Sequence, residues 1–65
     1  MLTPLQHVVL DELRGHDCDW LAKCAGESWR NGQRTYIDPR VKCPRWLRRL
    51  FNRANEQAAR EEGKP

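Results

Sequence analysis

The stretch CPRWLRRLFNRAN, residues 43–55, decides the fold of this chain because it predicts a long helix with two different faces. At 100° per residue, its apolar side chains share one sector and its arginines cluster around the opposite pole. Extended by one turn, the apolar sector comprises Leu47, Leu50, Phe51, Ala54 and Ala58. The opposite pole comprises Arg45, Arg48, Arg49 and Arg53, with Trp46 at the boundary. We therefore expect one face to pack in a core and the other to meet water or a partner.

One proline marks the start of this long helix, and another marks a turn before it. Pro44 lacks an N–H and disfavours helical geometry at the residue before it, so the helix is predicted from Pro44 to about Glu62. Residues 63–65 are expected to form a frayed tail beginning with Gly63. Upstream, Asp38 and Pro39 have the residue types of a helix cap and first helical position, which predicts one helical turn through Lys42.

A first helix is predicted in LTPLQHVVLDELRG, residues 2–15. Thr3 is suited to the N-cap, Pro4 to the first helical position, and Gln6 completes a capping box. Gly15 is expected to end the helix in the left-handed conformation, so the predicted helix runs from Pro4 to Arg14. Its predicted apolar face comprises Leu5, Val8, Val9, Leu10 and Leu13.

A second helix follows closely, and the short connection predicts that the first two helices are neighbours. Asp17 or Asp19 is expected to cap it. Its predicted apolar positions are Trp20, Leu21, Cys24 and Ala25, with Cys24 as a small core residue. The sequence predicts an end at Gly26 and leaves open a continuation to Trp29.

The pair Asn31-Gly32 is the strongest short-range turn signal in the chain, with β-favouring residues on both sides. It predicts either a short hairpin or an ordered loop. The predicted fold class is therefore all-α or mostly α. One domain, residues 1–65, would hold three helices with a short hairpin or loop between the second and third.

Size and cysteine content limit the class of protein. A chain of 65 residues buries only about 60% of the surface that its unfolded form exposes, so its core is small. Three cysteines cannot all pair within one chain, and no secretory signal pattern or membrane-length apolar run of about 20 residues is present. We expect a cytoplasmic protein with no membrane contact.

The net charge of +3 conceals a strong asymmetry. Residues 29–53 hold eight bases against one acid, whereas residues 1–28 hold five acids against two bases. A basic block of this kind is expected where a protein meets phosphates or an acidic partner. In the alternative interpretation, the acidic first half packs beside the basic second half and the charges neutralise each other.

Arginine pairs bidentately with phosphate and with the guanine edge, so a row of arginines on one helix suits nucleic acid. Asn52 and Asn55 add amides of the kind that read adenine, and Arg40 and Lys42 would extend the contact along the backbone. The residues predicted to bind DNA or RNA are Arg40, Lys42, Arg45, Arg48, Arg49, Asn52 and Arg53. Another acidic macromolecule, or water alone, remains open as the occupant of this face.

The opening of the chain resembles the first helix of helix-turn-helix and winged-helix DNA-binding domains, such as bacterial SOS repressors. The similarity rests on Leu2, Thr3, Pro4, Leu5 and Gln6, followed by Val9, Leu10 and Leu13. The resemblance implies that residues 20–25 form the second helix and that the arginine-bearing helix enters the DNA groove. It implies a small regulator of transcription.

A protein partner is the second interpretation. Tryptophan and arginine are the residue types most enriched at interface hot spots, and the chain holds Trp20, Trp29 and Trp46. A small adaptor or inhibitor could dock on an acidic host protein through such a surface, or form a homodimer through leftover apolar area. In size and charge the chain resembles accessory proteins of phages and mobile elements.

Neither catalysis nor a cofactor is predicted. His16, Cys18, Cys24 and Cys43 are zinc-ligand types, but their spacing matches no common zinc motif, so a metal site stays open without being favoured. The carboxylates near residues 11–19 are better explained as helix caps, and so short a chain has little volume for a closed pocket. The sequence therefore predicts a protein that is not an enzyme.

Overall fold

The computed structural model describes residues 1–62, which form three helices: α1 (Pro4–Gly15), α2 (Asp19–Arg30) and α3 (Arg45–Glu62). No strand occurs within residues 1–62, so the predicted mostly α, three-helix class is confirmed. Of the two options between the second and third helices, the structure shows the loop, residues 31–44. The tail predicted at residues 63–65 lies outside the described residues.

The N-terminal end of α1 has the predicted capping box. The Gln6 backbone N–H donates to Thr3 Oγ1 at 3.1 Å, and the Thr3 N–H donates to Gln6 Oε1 at 2.8 Å. Both residues are buried, so the cap is also part of the packed interior. A cap of this kind stabilises a helix by about 1 kcal/mol.

The C-terminal end of α1 differs from the prediction at Gly15, which is helical. Asp17 takes the left-handed conformation instead, with φ of 59°. The Cys18 N–H donates to the Leu13 carbonyl at 2.8 Å and the Asp17 N–H donates to the Arg14 carbonyl at 3.3 Å. These two bonds are those of a Schellman motif, in which Asp17 takes the left-handed position that glycine usually occupies.

The N-terminal end of α2 also corrects the prediction, because neither aspartate caps it. Cys18 is the N-cap and makes no side-chain capping bond, while Asp19 lies in the first helical turn. A carboxylate there interacts favourably with the helix dipole without needing the cap position.

Helix α2 passes through Gly26 and ends at Arg30, so the predicted end at Gly26 is wrong and the continuation to Trp29 that the sequence left open is present. Gly26 is buried against α1, where an added Cβ would lie 3.6 Å from Leu10 Cδ1. The helix ends in a second Schellman motif, in which the Gly32 N–H donates to Trp29 O at 3.0 Å and the Gln33 N–H donates to Ser28 O at 2.8 Å. Gly32 has a φ of 74°, so the Asn-Gly signal marks a helix end and not a hairpin.

The buried face of α2 is rotated relative to the prediction. Cys24 and Trp20 are exposed, so the expectation that Cys24 is a core residue is wrong. The residues that pack toward α1 recur at helical spacing from the N-cap onward: Cys18, Leu21, Ala22, Ala25 and Trp29. Trp20 lies on the opposite side of the helix, which faces away from α1.

Helix α1 is the shared neighbour of the other two helices and packs against both. Helices α2 and α3 meet through side chains, with the Trp29 and Phe51 ring centroids 5.0 Å apart. The predicted apolar face of α3 is confirmed, since Leu47, Phe51 and Ala54 are buried and Leu50 and Ala58 are partly buried. The core therefore lies around α1 and leaves the far side of α3 to solvent.

The loop before α3 contains less helix than predicted. Residues 38–41 form a single turn closed by the Val41 N–H donating to Asp38 O at 3.0 Å, so no helical turn reaches Lys42. Helix α3 begins at Arg45, one residue after the predicted start, and the Pro44 carbonyl accepts from the N–H groups of Leu47 and Arg48 at 3.1 Å. Helix α3 is described as far as Glu62, and the residues after the predicted end lie outside the described part of the chain.

Candidate functional site

The solvent side of α3 carries three exposed arginines at intervals of four residues. We call Arg45, Arg49 and Arg53 the arginine face. Among the side chains of residues 1–61 there are two ion pairs, Arg14 with Asp11 and Arg40 with Asp38, and neither involves these three arginines. Both pairs are local, so no ion pair there joins an acid of the first half to a base of the second.

Two other exposed polar residues share the solvent side of α3. Asn52 lies beside Arg45 and Arg49 by helical periodicity, as the sequence predicts. Glu56 lies on the same sector one turn further along and limits the basic strip toward the C-terminal end of the helix. The positive surface therefore occupies the first half of α3.

Arg48 is placed differently from the other predicted contact residues. It is partly buried, and its Nη2 donates to the Val41 carbonyl and, at 3.5 Å, to the Asp38 carbonyl. These two acceptors belong to the turn at residues 38–41. Arg48 therefore fastens the loop to α3 and turns away from the arginine face.

Arg40 is bound to the same turn through Asp38. Its Nε donates to Asp38 Oδ1 at 3.2 Å and its Nη2 donates to Oδ2 at 3.0 Å, while its backbone N–H donates to Oδ1 at 2.9 Å. The Arg40 side chain, its backbone N–H and the nearby Arg48 charge hold the pKa of Asp38 below its ordinary value. Because folding lowers this pKa, the ionised Asp38 stabilises the folded state at pH values above its unfolded-state pKa. That stabilisation is lost as the pH falls through the folded-state pKa of Asp38. Lys42 is exposed on the same loop.

Asn55 is structural, so the prediction that its amide reads adenine is wrong. The residue is buried, and its Oδ1 accepts from Trp29 Nε1 at 2.7 Å. Its Nδ2 donates to the Thr35 carbonyl at 2.6 Å. One side chain of α3 thereby joins α2 and the loop, and sequence periodicity placed it at the edge of the core without showing these partners.

A shallow pocket of about 260 Å³ lies where the loop meets α3, lined by Tyr36, Ile37, Arg48 and Asn52. Tyr36 is 67% exposed, whereas Ile37 is partly buried and packs against the core. The predicted site did not include Tyr36. Its β-favouring neighbours suggested a strand, and only the folded loop brings its ring beside Asn52.

The other side of the arginine face carries Trp46, which is 51% exposed. The His16 ring from the end of α1 meets the indole edge-on, with centroids 5.7 Å apart. This contact covers part of one edge of Trp46, and about half of the residue stays open to solvent. No sequence pattern indicates this contact, because His16 and Trp46 are thirty positions apart.

The zinc-ligand types do not converge within the described residues. No three His, Cys, Asp or Glu side chains of residues 1–61 form a group that could hold a metal ion. Cys18 is buried, Cys43 is partly buried and Cys24 is exposed, and all three are free thiols. Burial raises the pKa of the Cys43 thiol, and the Arg48 charge partly offsets that effect.

Comparison with known proteins finds no matching family model, no matching curated protein and no matching solved structure. None of the three helices within residues 1–62 combines the length and apolar character that crossing a membrane requires. Function therefore has to follow from the chemistry of the side chains described above.

Proposed function

We propose that this chain is a small cytoplasmic nucleic-acid-binding regulator and that α3 is the element that contacts the nucleic acid. One observation carries the proposal. The arginine face is exposed and makes no ion pair with any side chain of residues 1–61, which include eight of the nine acidic residues of the chain. Three guanidinium groups without an ion-pair partner on one rigid helix have the chemistry of a phosphate-binding surface.

The arrangement of the arginines supports contact with a linear polyanion. Residues four apart on a helix advance by ~6 Å, so Arg45, Arg49 and Arg53 form a nearly straight ridge ~12 Å long. Arg40 and Lys42 precede this ridge on the loop. Although Arg40 is paired with Asp38, its side chain is 90% exposed and keeps donors for a phosphate.

The resemblance to helix-turn-helix proteins adds two narrower proposals, that the nucleic acid is DNA and that the role is regulation of transcription. In those families the groove-entering helix presents its first turn to the bases. Arg45 lies in the first turn of α3, and Arg49 lies in the second. The loop of residues 31–44 separates α2 from α3, in place of the short turn of those families.

The test compares two double variants that each remove two positive charges from exposed helical positions. The variant R45A/R49A alters the arginine face, and the matched control K23A/R30A alters α2. Fluorescence anisotropy with labelled oligonucleotides, at several salt concentrations, measures affinity and its salt dependence. We expect R45A/R49A to lose roughly 10-fold or more in affinity and to reduce the slope of log K against log salt by about 1.8 on duplex. The control should stay near the unaltered protein, and equal losses in both variants would contradict the proposal.

A protein partner is the second candidate, and the exposure of Trp20 favours it. This indole is 57% exposed on the side of α2 that faces away from α1, where no core explains it. The partner would be an acidic host protein or a second copy of the chain. Affinity purification with and without nuclease separates the candidates. A stoichiometric partner that survives nuclease and is lost in W20A, with no oligonucleotide binding, would replace the first proposal.

A further inference from the structure

Two aromatic rings lie on opposite sides of the arginine face. Trp46 borders it on the α1 side and Tyr36 borders it on the loop side. A single exposed aromatic residue is ordinary in a soluble protein. The position of these two is informative because a row of unpaired cations runs between them.

The chain around both rings is anchored before any ligand arrives. His16 meets the edge of Trp46, which stands on the rigid helix α3. The backbone on either side of Tyr36 is anchored, since the Thr35 carbonyl accepts from Asn55 and Ile37 packs against the core. The backbone that carries each ring therefore needs little ordering when a partner stacks on it.

The pocket beside Tyr36 has the size and chemistry for one planar base. Its volume of about 260 Å³ is below the range of roughly 300–1,000 Å³ typical of ligand cavities, so it does not suit a large cofactor. Tyr36 supplies a stacking face, and Asn52 supplies an amide that both donates to and accepts from a base edge.

From this arrangement we infer that the preferred ligand is single-stranded nucleic acid, with phosphates on the arginine face and unpaired bases stacked on Tyr36 and Trp46. The inference rests on the proposed function and narrows it. In a duplex the base faces are covered by neighbouring bases, so neither ring could stack on them without disrupting the helix. A basic strip bordered by aromatic rings is the arrangement that suits unpaired strands. This mode differs from the groove entry that the helix-turn-helix resemblance implies.

The first experiment measures fluorescence anisotropy with three labelled probes: a 15-nucleotide oligo-dT, a 15-nucleotide oligo-rU and a mixed-sequence 15-base-pair duplex. We expect a single strand to bind more tightly than the duplex, and the two single-stranded arms show whether that strand is DNA or RNA. Y36A and W46A should each weaken single-strand binding about 10-fold, because stacking on one ring is worth on the order of 1–3 kcal/mol. Y36F and W46F should keep most of the affinity, since a ring remains.

Trp20 provides a matched control within the same chain. It is as exposed as Trp46 but lies on α2, which meets α3 only through buried side chains. We expect W20A to bind every probe as the unaltered protein does. Circular dichroism and thermal unfolding of each variant confirm that the fold is retained.

A second readout reports stacking directly. Bases that stack on an indole quench its fluorescence, so adding oligo-dT should quench the intrinsic emission. W20F should keep the quenching, whereas W46F should lose most of it although its affinity is largely kept. A merely electrostatic contact would leave the emission of Trp46 unchanged.

Failure of this inference is distinct from failure of the proposed function. If the duplex binds as tightly as either single strand, or if Y36A and W46A behave like W20A, the inference is overturned while nucleic-acid binding stands. If the folded, unaltered protein binds none of the three probes at low salt, the proposed function is overturned and the inference falls with it.

Discussion

The two sides of α3 use the same residue types for opposite purposes. On the loop side, Arg48 and Asn55 find acceptors and donors inside the protein. On the solvent side, Arg45, Arg49 and Arg53 make no ion pair with the described side chains, those of residues 1–61. Position on the helix, and not residue type, decides which polar side chains build the fold and which are left for a partner.

The comparison shows that a count of charges overstates a binding surface. Residues 29–53 carry eight bases, yet Arg40 and Arg48 already donate to groups of the loop. A hydrogen bond from a charged donor to a buried or partly buried acceptor contributes about 1.5–3 kcal/mol, which is more than an exposed ion pair. Arg48 is therefore primarily structural, whereas Arg40 makes an exposed ion pair with Asp38 and keeps donors for an anion. The surface without internal partners is smaller and more localised than the composition indicates.

The largest expected effect breaks the loop side at Asn55. N55A removes the partner of the Trp29 indole N–H, which is buried, and of the Thr35 carbonyl. Because an unpaired buried polar group costs about 1–3 kcal/mol, we expect the free energy of unfolding to fall by about 2–3 kcal/mol. Thermal unfolding should show a decrease in Tm of about 10–20 °C for a domain of this size.

Asn52 is the matched control for that change, since it carries the same amide on an exposed position one turn earlier. N52A should alter the free energy of unfolding by no more than about 0.5 kcal/mol. Equal losses of stability in N52A and N55A would contradict the structural assignment of Asn55.

An intermediate effect is expected from two adjacent arginines. R48A removes the bonds that hold the turn at residues 38–41, so we expect a loss of about 1–2 kcal/mol in stability. R49A should leave stability within about 0.5 kcal/mol and instead weaken oligonucleotide binding. Denaturant unfolding and anisotropy, run on both variants, measure the two properties. If R49A unfolds as easily as R48A, the two sides of α3 are not separate in function.

The smallest expected effect lies where the loop leaves α2. Gly32 has a φ of 74°, and an alanine there costs about 1 kcal/mol because its Cβ disfavours the left-handed conformation. G32A should therefore lower Tm by about 4–8 °C. The converse change, D17G, relieves the same strain at the end of α1 and should raise Tm. Neither substitution touches the arginine face, so binding by the folded protein should be unchanged.

The helices that sequence predicts well are those whose signals are local. Thr3 and Gln6 mark the start of α1 within four residues, and the spacing of Leu47, Phe51 and Ala54 marks the buried face of α3. The glycine of the Asn31-Gly32 pair was a less specific signal of local structure. Left-handed backbone is required both in tight hairpins and at helix ends, so Asn31-Gly32 had two valid interpretations.

The parts of the site that sequence missed depend on distant partners. Asn55 looked available because its amide is of the kind that reads adenine, and only the approach of Trp29 and Thr35 shows that both of its amide groups have partners inside the fold. The path of the loop brings Tyr36 beside Asn52, and no local sequence pattern specifies that path. Arg48 and Arg49 are adjacent, and the helical pattern placed both around one pole of α3, whereas the folded loop supplies the Asp38 and Val41 carbonyl groups to Arg48 alone.

The shortness of the arginine ridge has a consequence for stoichiometry. A ridge of ~12 Å spans only a few nucleotides, whereas the molecule measures 37 × 19 × 18 Å. On a long strand, the width of the protein and not the length of its contact would set the distance between neighbouring copies. Occupancy would then rise with strand length, as for a coating protein, and not saturate at one copy per strand.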